Sequence, residues 1–295
     1  MMIFNRNGPN KAQALTFELG GDWRGTSGLA PCPVCQPERR NDQRALALHV
    51  DKATLLLFCH KSGCSFRDIF NVLGMMPGDV VTDRIAANKV TAARADYEAQ
   101  QLSKARQLWA RSHPIFGTKG HAYLREHGIS CDLPSALRWA PDTYHAPSAR
   151  WLSAIVADVS TGGVHRTFFE KSGERVKANA KMMQGPCAGG AVEITRTSGP
   201  LIVAEGIETA LSLASGLLSR PATIWAALST SGIKGLVLPP VPSCLTIATD
   251  GDNAGRKAGY ALAERATALG WKVSILPAPD GRDWNDVLRM KGGMK

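Results

Sequence analysis

The spacing of apolar positions changes along the chain. From residue 191 onward, short apolar runs alternate with longer stretches of helical period: Pro200 to Ala204, helix Ile207 to Leu218, Thr223 to Leu228, Leu245 to Thr249, helix Ala254 to Leu269, and Lys272 to Leu276. Short apolar runs separated by helices predict the buried strands of a parallel βαβ sheet. Residues 113–190 predict a helix (Gly120 to His127), a loop carrying Pro134, Pro141 and Pro147, and a hairpin of Leu152 to Val159 with Val164 to Glu170. Gly162-Gly163 marks its turn, because such turns need residues that accept positive φ. Asp83 to Ser112 is rich in Ala, Gln, Arg and Lys with few apolar anchors, which predicts an exposed connecting helix. Before it, Ala45 to Val50 and Leu55 to Cys59 predict a two-stranded ribbon turning near Asp51-Lys52. The pattern divides the chain into a finger module (1–76), a helical linker (77–112), a small mixed α+β subdomain (113–190) and a C-terminal α/β domain (191–295).

A chain of 295 residues exceeds the usual size of one domain, roughly 100–200 residues, in keeping with that division. Hydrophobic residues at 44% and charged residues at 20% predict a folded rather than a disordered chain. The 35 Lys and Arg against 25 Asp and Glu give +10, which favours a polyanionic partner such as nucleic acid but also serves solubility. No apolar run approaches the roughly 18 residues needed to span a bilayer, and Met1 to Lys11 lacks the apolar core of an export signal. A cytoplasmic protein with no membrane partner is expected. No phosphate-binding loop of the Gly-x-x-x-x-Gly-Lys-Ser/Thr kind is found, so an attached motor domain is not expected.

Seven cysteines without an export signal point to metal ligation plus a few core thiols rather than to disulfides. Cys32-Pro33-Val34-Cys35 and Cys59-His60-Lys61-Ser62-Gly63-Cys64 are two knuckles joined by a 23-residue insert. Tetrahedral Zn²⁺ needs four soft ligands about 2.3 Å from one ion, which paired knuckles on a ribbon supply. The four residues inside the second pair, rather than two, leave His60 as an alternative to Cys59 or Cys64, although Gly63 favours the cysteine. Arg39, Arg40, Arg44 and Lys61 surround the knuckles, and Phe58 and Phe66 are available to stack on bases. Trp23, Trp139 and Trp151 read as core or interface residues.

Carboxylates stand just past apolar strands in the C-terminal domain: Glu205 after Leu201 to Ala204, and Asp250 with Asp252 after Leu245 to Thr249. That is the carboxyl edge of a parallel sheet, where open α/β folds place ligands. Converging acids repel and raise one another's pKa unless a hard divalent cation neutralises them. Asp252 or Asn253 could instead simply cap the helix that follows. Glu208 reads as a helix-surface residue and Asp280 as a turn residue.

The segments Leu201 to Ala210, Thr249 to Gly255 and Asp283-Trp284-Asn285-Asp286 resemble the Toprim domain shared by bacterial-type primases, topoisomerases and some nucleases. Cysteine knuckles, linker and Toprim together are similar to bacterial and phage primases, and most of all to small Toprim proteins of phages and plasmids. The stretches Ala122 to Ser130, Val164 to Phe169 and Lys181 to Pro186 resemble the basic subdomain preceding Toprim there. The resemblance implies an α/β Toprim domain behind a mixed α+β basic subdomain and a zinc-ribbon-like finger. It implies Glu205 as first-motif acid, either metal ligand or proton acceptor, Asp250 and Asp252 as ligands of Mg²⁺ or Mn²⁺, and Asp283 with Asp286 completing the site.

Phosphate contacts are expected from Arg166, Arg175, Lys177 and Lys181, with Arg256 and Lys257 at a helix amino end that already favours anions. The implied activity is synthesis of short RNA primers on single-stranded DNA from nucleoside triphosphates. A metal-dependent nuclease and a non-catalytic single-stranded DNA-binding protein are the alternatives. None of Tyr97, Tyr123, Tyr144 or Tyr260 sits in a recognisable cleavage module, which argues against a topoisomerase. With the sequence ending at Lys295 soon after Asp286, a helicase would be a separate partner.

Overall fold

The computed structural model describes residues 11–40, 42–51, 54–75 and 84–293. The expected turn residue Lys52, the boundary stretch Met76-Pro77-Gly78, and the start of the linker lie outside them. The chain divides into two compact units, Met1–Gln100 and Gln101–Lys295.

The first unit holds α1 (Lys11–Glu18), β1 (Asp22–Arg24), β2 (Ser27–Ala30), β3 (Leu46–Asp51), β4 (Thr54–Cys59) and α2 (Phe66–Val72). The strands form one sheet in the order β1-β2-β3-β4, every pair antiparallel. The expected ribbon is its β3–β4 half, with Leu46 opposite Cys59 and Val50 opposite Leu55. Leu46, Leu48, Val50, Leu55 and Cys59 are buried with Ala12, Leu15, Leu19 and Ile69, while Leu56 and Phe58 face out. This is the period-two alternation of a sheet covered on one face. The other two strands escape sequence reading because three or four residues cannot display a period. Ser65 caps α2 by accepting from the Asp68 amide at 3.1 Å.

The next helix, α3 (Arg84–Arg111), runs across the division between units. Residues 92–100 are exposed as the linker reading expects. Further on the expectation fails: Ala105 and Leu108 are buried against Ala140, Val156 and Val164. A few small or aliphatic side chains on one helical face suffice for docking when the rest is polar.

A five-stranded antiparallel sheet follows, in the order β5 (His113–Pro114), β6 (Leu137–His145), β7 (Arg150–Asp158), β8 (Val164–Phe169) and β9 (Lys181–Gln184). Helix α4 (Lys119–Glu126) is capped by Thr118, which accepts from the His121 amide. The hairpin β7–β8 forms as expected, with Asp158 opposite Val164. The proline-bearing loop is mostly strand. β6 runs through Pro141, and its pairing with β7 shifts register between Ala140 and Thr143. A bulge lets a residue without an N–H sit in a strand, because the ladder asks nothing of it there.

The C-terminal sheet has the order β10-β12-β11-β13-β14, formed by β10 (Val192–Thr195), β11 (Leu201–Ala204), β12 (Thr223–Ala226), β13 (Cys244–Thr249) and β14 (Lys272–Pro277). All pairs are parallel except the edge strand β10, which runs antiparallel to β12. Its helices are α5 (Ile207–Ser212), α6 (Thr230–Gly235), α7 (Asn253–Ala268) and α8 (Trp284–Gly293). On β11, Ile202 and Ala204 face a core shared with Ala210, Leu211 and Leu288. Leu201 and Val203 face a second core with Ala258 and Leu262. Burial on both faces is why these strands read as unbroken apolar runs. The predicted helix 207–218 is shorter: after Ser212 the chain makes a π-helical turn over Leu213–Leu217 and leaves it through Gly216 at φ 98°. Among the described residues no helix is long and apolar enough to cross a membrane.

Candidate functional site

Two groups of ligand-type side chains stand out, one in each unit. In the first, Cys32 follows β2 and Cys59 ends β4, while Cys35 and Cys64 lie in the loops beyond. The ligand atoms of all four lie within 4.8 Å of one another, and Cys35 Sγ is 3.6 Å from Cys59 Sγ. A zinc ion with sulfur ligands at about 2.3 Å requires sulfur–sulfur edges of about 3.8 Å, so the donor set fits that ion. Burial pushes the Cys59 thiol up, but the amides of Ser62, Cys64 and Lys61 and the Cys35 thiol more than offset it, to about 6. Cys64 is pushed up to about 12 by desolvation and by the other three thiols. Crowded thiols of this kind deprotonate together only with a cation among them. His60 is exposed, its ring edge-on to Phe58 at 4.8 Å, and is outside the thiol group.

In the second unit, parallel pairing sets Ala204 beside Ala248, so Glu205 and Asp250 leave the sheet at the same edge on adjacent strands. Glu205 is raised to about 7, first by burial and then by the charges of Asp250 and Asp252. Asp250 is raised to about 6 by burial, then by Asp283 and Asp252, against the opposing hydrogen bond from Thr209. Thr209 Oγ1 donates to Asp250 Oδ1 at 3.4 Å. The acids thus share one electrostatic field. Among the described residues the cysteines, not these carboxylates, are gathered within 4.8 Å. That openness suits Mg²⁺, which keeps several waters and is held by one or two carboxylates together with substrate phosphates.

Three of the expected ligands also cap helices. Asp252 Oδ1 accepts from the Gly255 amide at 2.6 Å at the start of α7. At the start of α8, the Asp286 amide donates to Asp283 Oδ1 at 2.8 Å and the Asp283 amide to Asp286 Oδ2 at 3.3 Å, a reciprocal capping box.

Gly251 locks the 250 loop onto its neighbour. Its N–H donates to the Arg282 carbonyl at 2.8 Å and its carbonyl accepts from Gly281 N at 3.0 Å. A Cβ at this position would lie 1.9 Å from the Pro279 oxygen, a backbone atom that cannot swing aside. Gly251→Ala is therefore expected to cost about 1–3 kcal/mol of stability and to weaken Mg²⁺ binding. Urea melts and metal titration check both.

The cations expected at phosphates fare differently. Lys181, on β9 and 42% exposed, acts electrostatically on both Glu205 and Asp250. Arg166 is buried on β8, donates to the Met183 carbonyl at 3.4 Å, and has an Nε without a protein partner. Arg256 bonds the Gly251 carbonyl at 3.0 Å and pairs with Asp280, so it braces the 250 loop. Lys257 is exposed on α7; Lys177 lines a cleft with Arg150 and Arg175. Glu208 is no surface residue: its side chain is 15% exposed and pairs with Lys181 and Arg175. No local spacing signals those partners, which lie at least 27 residues away along the chain. Trp139 is buried as expected, but Trp151 is 58% exposed and packs on Tyr144.

The raised acids set a pH dependence. A carboxyl with a folded pKa above its unfolded value binds more protons folded, so between about pH 4.5 and 7 its contribution to stability falls as pH rises. His165, depressed to about 4 by burial, works oppositely, losing stability as pH falls through the same range. Comparison with Glu205→Gln separates the two. Metal-free protein is expected to gain on the order of 1 kcal/mol at pH 7.5 from that substitution, after discounting for solvent screening, and little at pH 4.5. Thermal melts at the two pH values measure it.

An acid-rimmed, mostly parallel α/β sheet behind an antiparallel sheet is the class of fold these residues define. Residues 200–293 match the Toprim domain family model, and residues 99–194 match a domain of unknown function, DUF7146. Over 93 residues the chain is 33% identical to a DNA primase of Geobacillus stearothermophilus, covering 31% of this chain and 15% of that relative's length. The zinc-binding and RNA polymerase domains of the Aquifex aeolicus primase align with 96% of this chain and 80% of that one, at 13% identity and a TM-score of 0.42. A DNA primase domain from Pseudomonas aeruginosa aligns with 65% of this chain and 75% of that one, at 15% identity and the same TM-score of 0.42. Residues 200–293 are thus a Toprim domain, in a chain that over 93 residues resembles a DNA primase.

Proposed function

We propose that the chain is a DNA primase that joins nucleoside triphosphates into short RNA primers on single-stranded DNA. The observation that carries the reading is the placement of Glu205 and Asp250 at one sheet edge, both raised by burial and by neighbouring acids, with Lys181 near enough to act on both by charge. Asp250 and Asp252 would hold Mg²⁺ or Mn²⁺, with Asp283 and Asp286 supporting the rim. Divalent ions, when bound, would activate the attacking ribose 3′-hydroxyl and stabilise the departing pyrophosphate. Glu205, with a carboxyl near 7, is suited to accept the proton that the 3′-hydroxyl releases. Lys181 would hold a phosphate oxygen and Lys257 would add positive potential at the start of α7. Zinc on Cys32, Cys35, Cys59 and Cys64 would hold the finger in shape, leaving exposed Phe58 and Phe66 to stack on template bases.

Purified protein with Mg²⁺, single-stranded DNA and ribonucleotides should yield short oligomers. Cutting of labelled DNA under Mg²⁺ without nucleotides would instead indicate a nuclease, and tight DNA binding with neither product a binding protein. A replicative helicase as separate partner is part of the proposal, tested by co-sedimentation on forked DNA.

A further inference from the structure

Glu208 gathers charged and polar partners from several parts of the chain. Lys181 Nζ donates to its Oε2 at 2.9 Å, and Arg175 Nη1 stands 3.7 Å from its Oε1. The Tyr123 hydroxyl of α4 and the buried His165 of β8 both lie close enough to feel the Glu208 charge. One carboxylate on α5 therefore ties together the strand β9 and the chain leading into it. Burial would push Glu208 up, but the charge and hydrogen bond of Lys181, with a backbone amide, more than offset it and hold the carboxyl below its usual range.

An untethered lysine samples many rotamers, and ordering it on a ligand costs on the order of 1.5–2 kcal/mol of side-chain entropy. An ammonium has three donors, so a hydrogen bond to Glu208 still leaves two for a ligand. Lys181 also acts by charge on Glu205 and Asp250, the acids at the carboxyl edge of the sheet.

We infer that Glu208 is a positioning residue: it fixes the Lys181 ammonium at the acidic rim so that it meets the phosphates of an incoming nucleoside triphosphate. The inference rests on the nucleotide-joining reading of that rim. Glu208→Gln keeps the shape and removes the charge. With fluorescently labelled ATP and Mg²⁺ as probe, the dissociation constant is expected to rise about 10-fold, and KM in primer synthesis likewise, with kcat changed less than about two-fold. Lys181→Ala should weaken nucleotide binding similarly, and the double variant should be no weaker than Lys181→Ala alone, since both changes remove one interaction. Affinity unchanged in Glu208→Gln, or losses that multiply in the double variant, would overturn the inference.

Nucleotide binding is read without synthesis, so the two readings fail separately. Wild-type protein that binds the probe but makes no oligomer sinks the primase proposal alone; synthesis with unaltered affinity in Glu208→Gln sinks the clamp alone. Wild-type protein that binds no probe overturns the clamp as well. If Glu208→Gln does not fold, as judged by circular dichroism, Lys181→Ala on its partly exposed strand carries the test: unaltered affinity there is equally fatal.

Discussion

Asp250→Ala is expected to lower primer synthesis by at least about 10³-fold, the ~4 kcal/mol of transition-state stabilisation that loss of a metal-holding group can remove. The protein should fold as well as before, or better without metal. Asp250 is held up to about 6 by burial and by Asp283 and Asp252, so its charge costs stability unless a cation offsets it. A variant that is inactive, properly folded and less sensitive to pH is the signature of a carboxylate kept for chemistry. Asp250→Asn, which retains an oxygen for the Thr209 hydroxyl, should be nearly as inactive. Primer synthesis surviving either substitution would leave the proposal without its centre.

The second large effect concerns the finger. Cys59→Ser, or prolonged chelation, is expected to unfold the first unit. Its core is small, built from Leu15, Leu19, Leu46, Leu48, Leu55 and Ile69, and two of the cysteines are themselves part of it. Structural zinc in small modules supplies apparent binding energies of about 10–16 kcal/mol, more than such a core supplies alone. Limited proteolysis should then digest residues up to about Gln100 and spare a fragment beginning near the middle of α3, with release of one zinc per chain. A finger that stays protease-resistant after complete chelation would show that the thiols are packing groups instead.

Much of the site was legible because two signals coincide. Apolar runs such as Leu201 to Ala204 can only be buried strands, and an acid directly after such a run must emerge at the strand's carboxyl end. The knuckle cysteines were legible because they stand among Pro, Gly and charged residues, where burial alone would not place them. The cap at Asp252 was legible as an alternative role, but spacing did not reveal that Asp283 and Asp286 also cap a helix, since capping depends on amide directions in the folded chain. Arg166 reads in the sequence only as a cation available to phosphate, while the fold buries it together with His165. Pro141 looked like a loop residue because proline rarely enters a sheet; the bulge that admits it is a property of two strands together.

The sequence alone determined the strands β11 to β14 with α5 and α7 among them, the β3–β4 and β7–β8 hairpins, the acids at the ends of β11 and β13, and the four thiols, because each follows from local period, turn chemistry or ligand spacing. Only the tertiary structure decided that Glu208 faces Lys181 and Arg175 and that Arg256 braces the 250 loop. It alone docked Ala105 and Leu108 of α3. Those outcomes depend on which faces meet across residues distant in sequence, and a charged side chain reads the same whether its partner is water, phosphate or another residue of the chain.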